Sequence, residues 1–404
     1  MRRTRLASAL ALAAAAAAVG GAAPGARGAD PGRWVETGRS DIPLEYYQGV
    51  AADPGRNLFF DGIYFGLYRT NPNLRETGRN PDVIPPQVGA LPPVGEGYNH
   101  IGDIDWDAAE GGRILLPLEC YYPGQANGGN TCKTGSFGVA DPATLNWRYY
   151  VKLDPAEIPK AMFAVVSPDR QLIWTSSGND LLAYRTADIT AANAAPGGPL
   201  IRAVRRLPNA VPPSGITGAA FYRGRMYVAG QGLGPFQVWS IDVADGTRRL
   251  EIERQLVGES EGLAVSQVLG GVLHWVITPF NPEGRQPTYG PNHNVLLHFV
   301  ARGSQQGRLR LSARPPRART GRRTRFRFRV TRRVGSDTVP VRGATVRLGR
   351  RRARTNADGR ADVYVRFRRP GRKTARATKA GFSPAAATIR AFRVRRTLSL
   401  TAAR

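Results

Sequence analysis

Residues that can act as acids, bases or ligands recur at corresponding positions of five related stretches of this sequence. Those predicted to bind a ligand are Tyr46, His100, Asp103, Glu119, Lys160, Gln231, Glu259 and Glu261. A histidine beside carboxylates can move protons during a hydrolysis, so His100 and Glu261 are the candidates for catalytic residues. Without proton transfer, the same side chains can bind a sugar or another small polar ligand. The residue types therefore indicate either acid–base chemistry or the binding of a polar molecule.

The carboxylates of this set also allow a metal site. Calcium takes about 6–8 oxygen ligands, which carboxylates and backbone carbonyls supply. The candidates for such a site are Asp61, Asp103, Glu119 and Glu261. A fourth possibility is that the polar residues only pair with one another and hydrate a channel. The sequence leaves these alternatives open and favours binding over catalysis.

The elements that position these residues are five hairpin-like stretches. They read QGVAADPGRNLFFDG, GDIDWDAAEGGRILLPLE, MFAVVSPDRQLIWTSS, TGAAFYRGRMYVAGQ and EGLAVSQVLGGVLHWVITP. Each consists of a strand that begins with small or polar residues, a turn, and a strongly hydrophobic strand. Their starts lie 54, 60, 55 and 44 residues apart, which suits one four-stranded sheet per stretch.

Such a sheet cannot bury both of its faces alone, and a ring of sheets solves this problem. Residues 30–303 are therefore predicted to form a β-propeller with five blades, six blades being the alternative. The N-terminal RWVETGR is expected to pair with NVLLHFVA and close the ring. In such a ring, the first strands start and the second strands end at the same rim. The candidate residues should therefore meet around one end of the central channel.

The phrases HIGDIDW, AVVSPDRQLIWTSSGNDLLAY and ITGAAFYRGRMYVAGQG resemble secreted bacterial β-propellers of the phytase-like, gluconolactonase-like and NHL-type group. The resemblance implies an architecture and no particular activity, because propellers include hydrolases, lyases, lectins and binding scaffolds. GESEG, around Ser260, formally matches a nucleophile-elbow motif. That motif requires a strand–turn–helix, whereas the residues after Ser260 read as two strands, so we reject it.

The charge of the chain changes abruptly near residue 304. Residues 304–404 contain 31 basic and three acidic residues, whereas residues 1–303 contain 27 of each. This step predicts a linker at 304–308, a basic domain at 309–396 and a tail at 397–404. The alternation in RFRFRV predicts a half-buried strand, and several such strands predict a β-sandwich. VRGATVRLG, TNADG and KAGF resemble bacterial Ig-like and carboxypeptidase-regulatory-like domains, which implies a spacer or adhesion role.

An arginine-studded surface attracts polyanions, and for an exported protein these would be cell-wall or other extracellular polymers. The alternative is that the charge is incidental. We see neither a recognition helix nor exposed aromatic residues between the arginines, which argues against dedicated nucleic-acid recognition.

Residues 1–29 read as a signal peptide, with a basic start, an apolar run and a small-residue cleavage zone. The apolar run is too short to span a bilayer, and no other run approaches that length. The mature chain is therefore expected to be secreted or associated with the cell envelope. In that compartment Cys120 and Cys132 should form a disulfide whose loop stands over the rim.

Overall fold

The computed structural model describes residues 34–62, 64–121, 131, 133–231, 234–266, 271–280, 285–301, 308–334, 337–379 and 382–393. Strands account for 53% of the structure and helices for 4%. The one α-helix in these ranges is α1 (Pro86–Gly89), and short 3-10 turns lie at Ala109–Gly111, Thr186–Asp188 and Ala191–Asn193. The predicted signal peptide and tail lie outside the described residues. No helix in the described part is long and apolar enough to cross a membrane.

The residues from 34 to 301 form five antiparallel sheets. The first strand, β1 (Trp34–Ile42), belongs to the last of them. From its inner to its outer edge, the first sheet contains β2 (Val50–Ala52), β3 (Leu58–Asp61), β4 (Leu67–Thr70) and β5 (Glu76–Asn80). The second contains β6 (His100–Ile101) and β7 (Asp105–Asp107), both paired with β8 (Arg113–Glu119), then β9 (Ser136–Ala140) and β10 (Trp147–Lys152).

The other three sheets follow the same order. The third contains β11 (Val165–Val166), β12 (Leu172–Ser177), β13 (Asp180–Arg185) and β14 (Arg205–Leu207). The fourth contains β15 (Gly218–Tyr222), β16 (Arg225–Gly230), β17 (Phe236–Ile241) and β18 (Arg248–Arg254). The fifth contains β19 (Glu259–Ser266), β20 (Val272–Thr278) and β21 (Asn294–Ala301), with β1 at its outer edge.

The five sheets form a closed ring. The inner strands β2, β7, β11, β15 and β19 each contact the inner strands of both neighbouring sheets. A separate hydrophobic cluster fills each of the five interfaces, including the one between the fifth sheet and the first. The outer edge is closed by β1, which pairs with β21 from Trp34 opposite Ala301 to Ile42 opposite Asn294. The predicted ring closure by the N-terminal strand is confirmed, and the fold of this part is a β-propeller.

Local sequence explains the hairpins. Strands β15 and β16 are joined by the two residues Arg223 and Gly224, both of which have a positive φ, at 49° and 79°. Two-residue hairpins favour turns of this kind because their twist matches that of the flanking strands, and glycine adopts them without a steric cost. Buried valine, phenylalanine and tyrosine residues on either side then pair the strands and fill the interfaces.

Residues 308–393 form two further sheets. One contains β22 (Leu309–Arg314), β24 (Arg323–Val334), β25 (Asp337–Pro340) and β28 (Arg360–Arg366). The other contains β23 (Arg317–Arg319), β26 (Thr345–Leu348), β27 (Arg351–Arg354), β29 (Gly371–Thr378) and β30 (Ala385–Phe392). One hydrophobic cluster lies between them and includes Phe326, Phe328, Val346 and Ile389. The inward orientation predicted for the two phenylalanines is confirmed.

Candidate functional site

The candidate residues surround one end of the propeller channel, which we call the mouth. It is the end at which the inner strands begin, near Gln48, His100, Lys160, Thr217 and Glu259. The second strands end there too: Glu119 pairs with His100, and Thr278 pairs with Glu259. The antiparallel order of each sheet therefore places these side chains around one opening.

One carboxylate, that of Asp103, lies at the centre of the ring. Its Oδ1 accepts the backbone N–H of Val50 at 3.0 Å, and its Oδ2 accepts those of Ala219 at 2.7 Å and Leu263 at 3.3 Å. Its own N–H donates to the carbonyl of Met162 at 2.9 Å. Asp103 belongs to the second sheet; Val50, Ala219 and Leu263 belong to the inner strands of the first, fourth and fifth sheets, and Met162 lies just before the inner strand of the third. Asp103 therefore links all five sheets through hydrogen bonds.

Glycines allow this close approach. A Cβ atom on Gly262 would lie 2.6 Å from Oδ1 of Asp103, and one on Gly49 would lie 2.3 Å from Oδ1 of Asp61. Both positions thus require the absence of a side chain. Burial raises the pKa of Asp103 well above its usual range, although its three N–H donors oppose that shift. The prediction that Asp103 binds a ligand or a metal is wrong, because its side chain is 1% exposed and both oxygens accept backbone N–H groups.

Asp61 lies beside Asp103 and is completely buried. Neither of its carboxylate oxygens has a hydrogen-bond partner among the described residues. Burial, together with the charge of Asp103, raises the pKa of Asp61 well above its usual range. The surroundings of Asp61 therefore favour its neutral form over its ionised form.

Two carboxyl groups interact directly at the mouth. Glu261 is hydrogen-bonded to Glu259 and accepts the amide N–H of Gln48 at 2.8 Å. Burial, followed by the charge of Glu259, raises the pKa of Glu261 well above its usual range. Burial also raises the pKa of Glu259, while its bond to Glu261 and the nearby His100 oppose the shift. The pair is therefore best described as two carboxyl groups that share one proton. Glu261 carries this proton and donates it in a hydrogen bond to Glu259.

The other side of the mouth has a histidine, a carboxylate and a lysine. His100 Nδ1 lies 2.9 Å from Glu119 Oε1, and Lys160 Nζ lies 3.4 Å from Glu119 Oε2. Burial alone would raise the pKa of Glu119, but the hydrogen bond from His100 and the charges of His100 and Lys160 lower it below its usual range. Glu119 is therefore an ionised carboxylate, in contrast to Glu261.

Two tyrosines that sequence reasoning left out of the ligand set lie at the same opening. Burial raises the pKa of Tyr47, the contact of its hydroxyl with Thr278 opposes the shift, and the nearby charges of Glu259 and Glu261 add to it. The ring of Tyr121 lies 5.4 Å from that of His100. Asn99 fixes Tyr121 by accepting its N–H at 2.7 Å and donating to its carbonyl at 2.9 Å. Tyr47 could have been predicted from the sequence, because it directly precedes Gln48, where the first hairpin-like stretch begins.

The mouth thus brings together His100, Glu119, Lys160, Glu259 and Glu261, as predicted for a common rim. Gln231 has a structural contact instead, because its side-chain oxygen accepts the N–H of Ser260.

Tyr46 is not at the mouth, and its assignment to the ligand set is wrong. Its ring stacks on Phe60 at 4.8 Å, and its hydroxyl donates to Glu76 at 2.7 Å, in the outer strand of the first sheet. The rejection of Ser260 as a nucleophile agrees with its place inside β19, where its hydroxyl accepts the indole N–H of Trp275 at 3.0 Å.

The predicted calcium ligands do not assemble into a metal site. Among the described residues, no three histidine, cysteine, aspartate or glutamate side chains are grouped so that they could hold a metal ion. The reason is that each candidate carboxylate has a different environment. Asp103 binds backbone N–H groups, Glu119 binds His100 and Lys160, and Glu261 binds Glu259 and Gln48.

The cysteine loop begins next to Glu119. Cys120 is buried, and its carbonyl accepts the N–H of Thr131 at 3.0 Å, which brings the two ends of the loop together. Cys132 lies outside the described residues, so its disulfide with Cys120 stays a prediction.

No family model and no curated protein matches this chain. Similar solved structures include the PQQ-bound aldose sugar dehydrogenase of Streptomyces coelicolor, with 14% identity and a TM-score of 0.36 over 66% of this chain and 98% of that one. The GH43_1 enzyme of Xanthomonas citri has 11% identity and a TM-score of 0.37 over 65% and 90%. The propeller domain of Myceliophteria thermophila Cps50 (Swd1) has 9% identity and a TM-score of 0.34 over 62% and 82%. With scores this low, the assignment of this protein to the β-propellers depends on its own ring of sheets.

Proposed function

We propose that this chain is an exported protein of the cell envelope that binds a linear polyanion through its C-terminal domain and a small polar ligand at the propeller mouth. We infer a five-bladed propeller followed by an Ig-like sandwich. Five sheets with five filled interfaces support the blade number, and two sheets around one core support the sandwich. The observation that carries the proposal is the uncompensated arginine coat of the C-terminal domain.

The arginines of this domain whose side chains are described are exposed except for the half-buried Arg332, and Asp362 lies beside Arg325 and opposite Arg327. Within the described residues of 308–393, the one ion pair joins Arg325 to Asp362. Residues 304–404 contain three acidic residues for 31 basic ones, so this charge must be balanced from outside the segment. Polyanions do this while releasing small counterions, and arginine binds phosphate and carboxylate groups through two parallel hydrogen bonds.

The mouth supports binding of a polar ligand because donors and acceptors face the same opening. Lys160, with 29% of its side chain exposed, and the half-buried Tyr47, Tyr121 and Glu259 form its accessible layer. The more deeply buried Glu119 and Glu261 fix the charges of that layer. A sugar or similar molecule with several hydroxyl groups suits such a mixture of donors, acceptors and aromatic faces.

The anchoring role is tested by sedimenting the full chain with isolated bacterial envelopes at low and high salt. We expect retention at low salt and release at high salt, because salt screens exposed charges. A variant with Arg327, Arg329, Arg372 and Arg376 changed to glutamine should be released at lower salt, whereas the matched lysine variant should behave like the parent. Retention that ignores salt, or none at low salt, would refute an electrostatic anchor.

A second candidate function is hydrolysis of a phosphoester, lactone or glycan at the mouth. The Glu259–Glu261 pair favours it, because a protonated carboxyl beside an ionisable one can act as acid and base. His100, held by Glu119, is a further proton carrier at the same opening. This candidate uses proton transfer by side chains of the mouth itself.

Its test is turnover of chromogenic phosphodiesters, lactones and glycosides by the parent and by Glu261→Gln. Loss of general acid–base catalysis should lower the rate about 100-fold or more. Tyr46→Phe is the matched control, because Tyr46 lies away from the mouth, and it should keep full activity. Turnover that survives Glu261→Gln, or no turnover of any substrate by the parent, would remove this candidate.

A further inference from the structure

Both outer surfaces of the C-terminal domain carry arginines. In β24, Phe326, Phe328 and Val330 are buried, while the arginines between them are exposed. The second sheet repeats this arrangement in β29, where Ala375 and Ala377 are buried and the flanking arginines are exposed. Because the two sheets share one core, their outer faces point in opposite directions.

On the first sheet, arginines stand directly opposite one another across neighbouring strands. The strand register pairs Arg314 with Arg327, Arg329 with Arg360, and Arg323 with Arg366, and it also places Asp362 opposite Arg327 on the other side. We call this surface the first face. Like charges in directly opposed positions repel one another, so these pairs destabilise the free domain. An anionic group placed between two such arginines turns that repulsion into two favourable contacts.

The second sheet has an equivalent surface, the second face. Arg347 lies opposite both Arg352 and Arg376, and Arg390 lies opposite both Arg372 and Arg317. All six side chains are exposed. Neighbouring strands lie about 4.8 Å apart, so each trio forms a short row across the sheet.

The two faces cannot share one short ligand. Packed sheets are separated by about 10 Å of apolar core, and the arginines extend outward from each side. The propeller leaves both faces open, since the twelve arginines named above are exposed in the complete chain. The two parts of the chain meet elsewhere, where Lys379 approaches Gly38 and where Lys379 and Arg332 lie near His298.

We propose that the C-terminal domain has two separate polyanion-binding faces and bridges two phosphate-bearing polymer chains. The inference rests on the proposed polyanion binding and adds its valency. Phosphate suits these rows because its oxygens accept from two arginine forks at once. Of the 31 basic residues after position 303, 29 are arginines and two are lysines.

The test uses the full chain and linear inorganic polyphosphate. Two variants remove the same number of positive charges, one from each face. The first-face variant changes Arg314, Arg327, Arg329 and Arg360 to glutamine. The second-face variant changes Arg347, Arg352, Arg372 and Arg376 to glutamine. Lysine at the same positions keeps the charge and serves as the control for folding and charge alike.

Calorimetric titration with short polyphosphate should give two bound chains per parent molecule and one per single-face variant. With long polyphosphate, the parent should form bridged assemblies that scatter light, and neither glutamine variant should do so. Lysine variants should keep the parental stoichiometry and the bridging, with weaker binding, because an ammonium group keeps the charge but lacks the two-donor fork of arginine. The two-face proposal is overturned if one glutamine variant loses all binding while the other keeps the parental stoichiometry, or if both variants still bridge. A parent that binds no polyphosphate at all refutes the polyanion function itself, which is a different outcome.

Discussion

Asp103 Oδ2 lies 2.7 Å from the backbone nitrogen of Ala219, a residue 116 positions further along the chain. This hydrogen bond crosses the channel from the second sheet to the fourth. With the bonds from Val50 and Leu263, it makes one buried carboxyl group the common acceptor of three inner strands. The ring is therefore fixed at its axis by Asp103 as well as at its outer edge by β1.

Replacement of Asp103 by alanine should destabilise the propeller strongly. Three buried N–H groups would lose their acceptor, and each unsatisfied group costs about 1–3 kcal/mol. We expect the free energy of unfolding to fall by about 3–5 kcal/mol, measured by urea denaturation. Asp82→Ala, on an exposed loop, is the control and should change it by less than about 0.5 kcal/mol. Equal effects of the two substitutions would contradict the role of Asp103 at the axis.

Glu261→Gln should stabilise the protein at neutral pH. Because the pKa of Glu261 is raised, the folded protein holds a proton there that the unfolded chain releases above about pH 4.3. The contribution of Glu261 to the free energy of unfolding is therefore largest at low pH and declines as the pH rises. A glutamine resembles the protonated acid, since it can accept from Gln48 and donate to Glu259.

We therefore expect a gain of about 1 kcal/mol in the free energy of unfolding at pH 7 and no gain near pH 4. Urea denaturation at both pH values measures it. Glu36→Gln, at an exposed position, should change neither value. A loss of stability at pH 7 would show that Glu261 is ionised in the folded protein.

A pair of histidines, of which His274 is buried and His298 half-buried, predicts a second pH effect. The Nδ1 atoms of His274 and His298 lie 2.9 Å apart, and the ring nitrogens on their far sides contact Ser266 and Ser40, respectively. Burial lowers the pKa of His298 to about 4, and burial also lowers that of His274 well below its usual range. Lys379 and Arg332 of the basic domain are the nearby charged groups and add to this effect.

Histidines in the unfolded chain titrate near pH 6.5. The contribution of this pair to the free energy of unfolding is therefore fully present above that pH and falls as the pH drops toward 4. His298 alone should account for a loss on the order of 3 kcal/mol between these limits. His298→Gln should make the decline shallower, as measured by thermal unfolding across this range. His293→Gln, at a partly exposed histidine, should leave the slope as it is. An unchanged slope in His298→Gln would contradict a neutral histidine pair.

Much of the fold was predictable because the hairpins are local. Each inner strand and the strand after it lie within about 20 residues, joined by turns that the sequence marks with glycine, asparagine or aspartate. The closing strand β1 was predictable from a missing outer strand in the fifth sheet. The division of the second sheet's inner edge into β6 and β7 was not, because it follows from the position of Asp103 at the axis.

The site was harder to predict because some of its residues lie outside the strands, where no alternation sets the direction of a side chain. Tyr46, Tyr47 and Gln48 precede β2, and Tyr46 packs in the core, whereas Tyr47 and Gln48 face the mouth. The opposite charge states of Glu119 and Glu261 depend on partners from other sheets. No local pattern in the sequence contains those contacts.

The central claim is that the arginine coat of the C-terminal domain binds a polyanion. Its most direct test is the dissociation constant of the full chain for linear polyphosphate, measured from about 0.05 M to about 0.5 M NaCl. We predict that the logarithm of this constant rises steeply with that of the salt concentration. The slope should be smaller for either single-face glutamine variant and smallest when both sets are combined. Equal slopes for the parent and the combined variant would contradict the account.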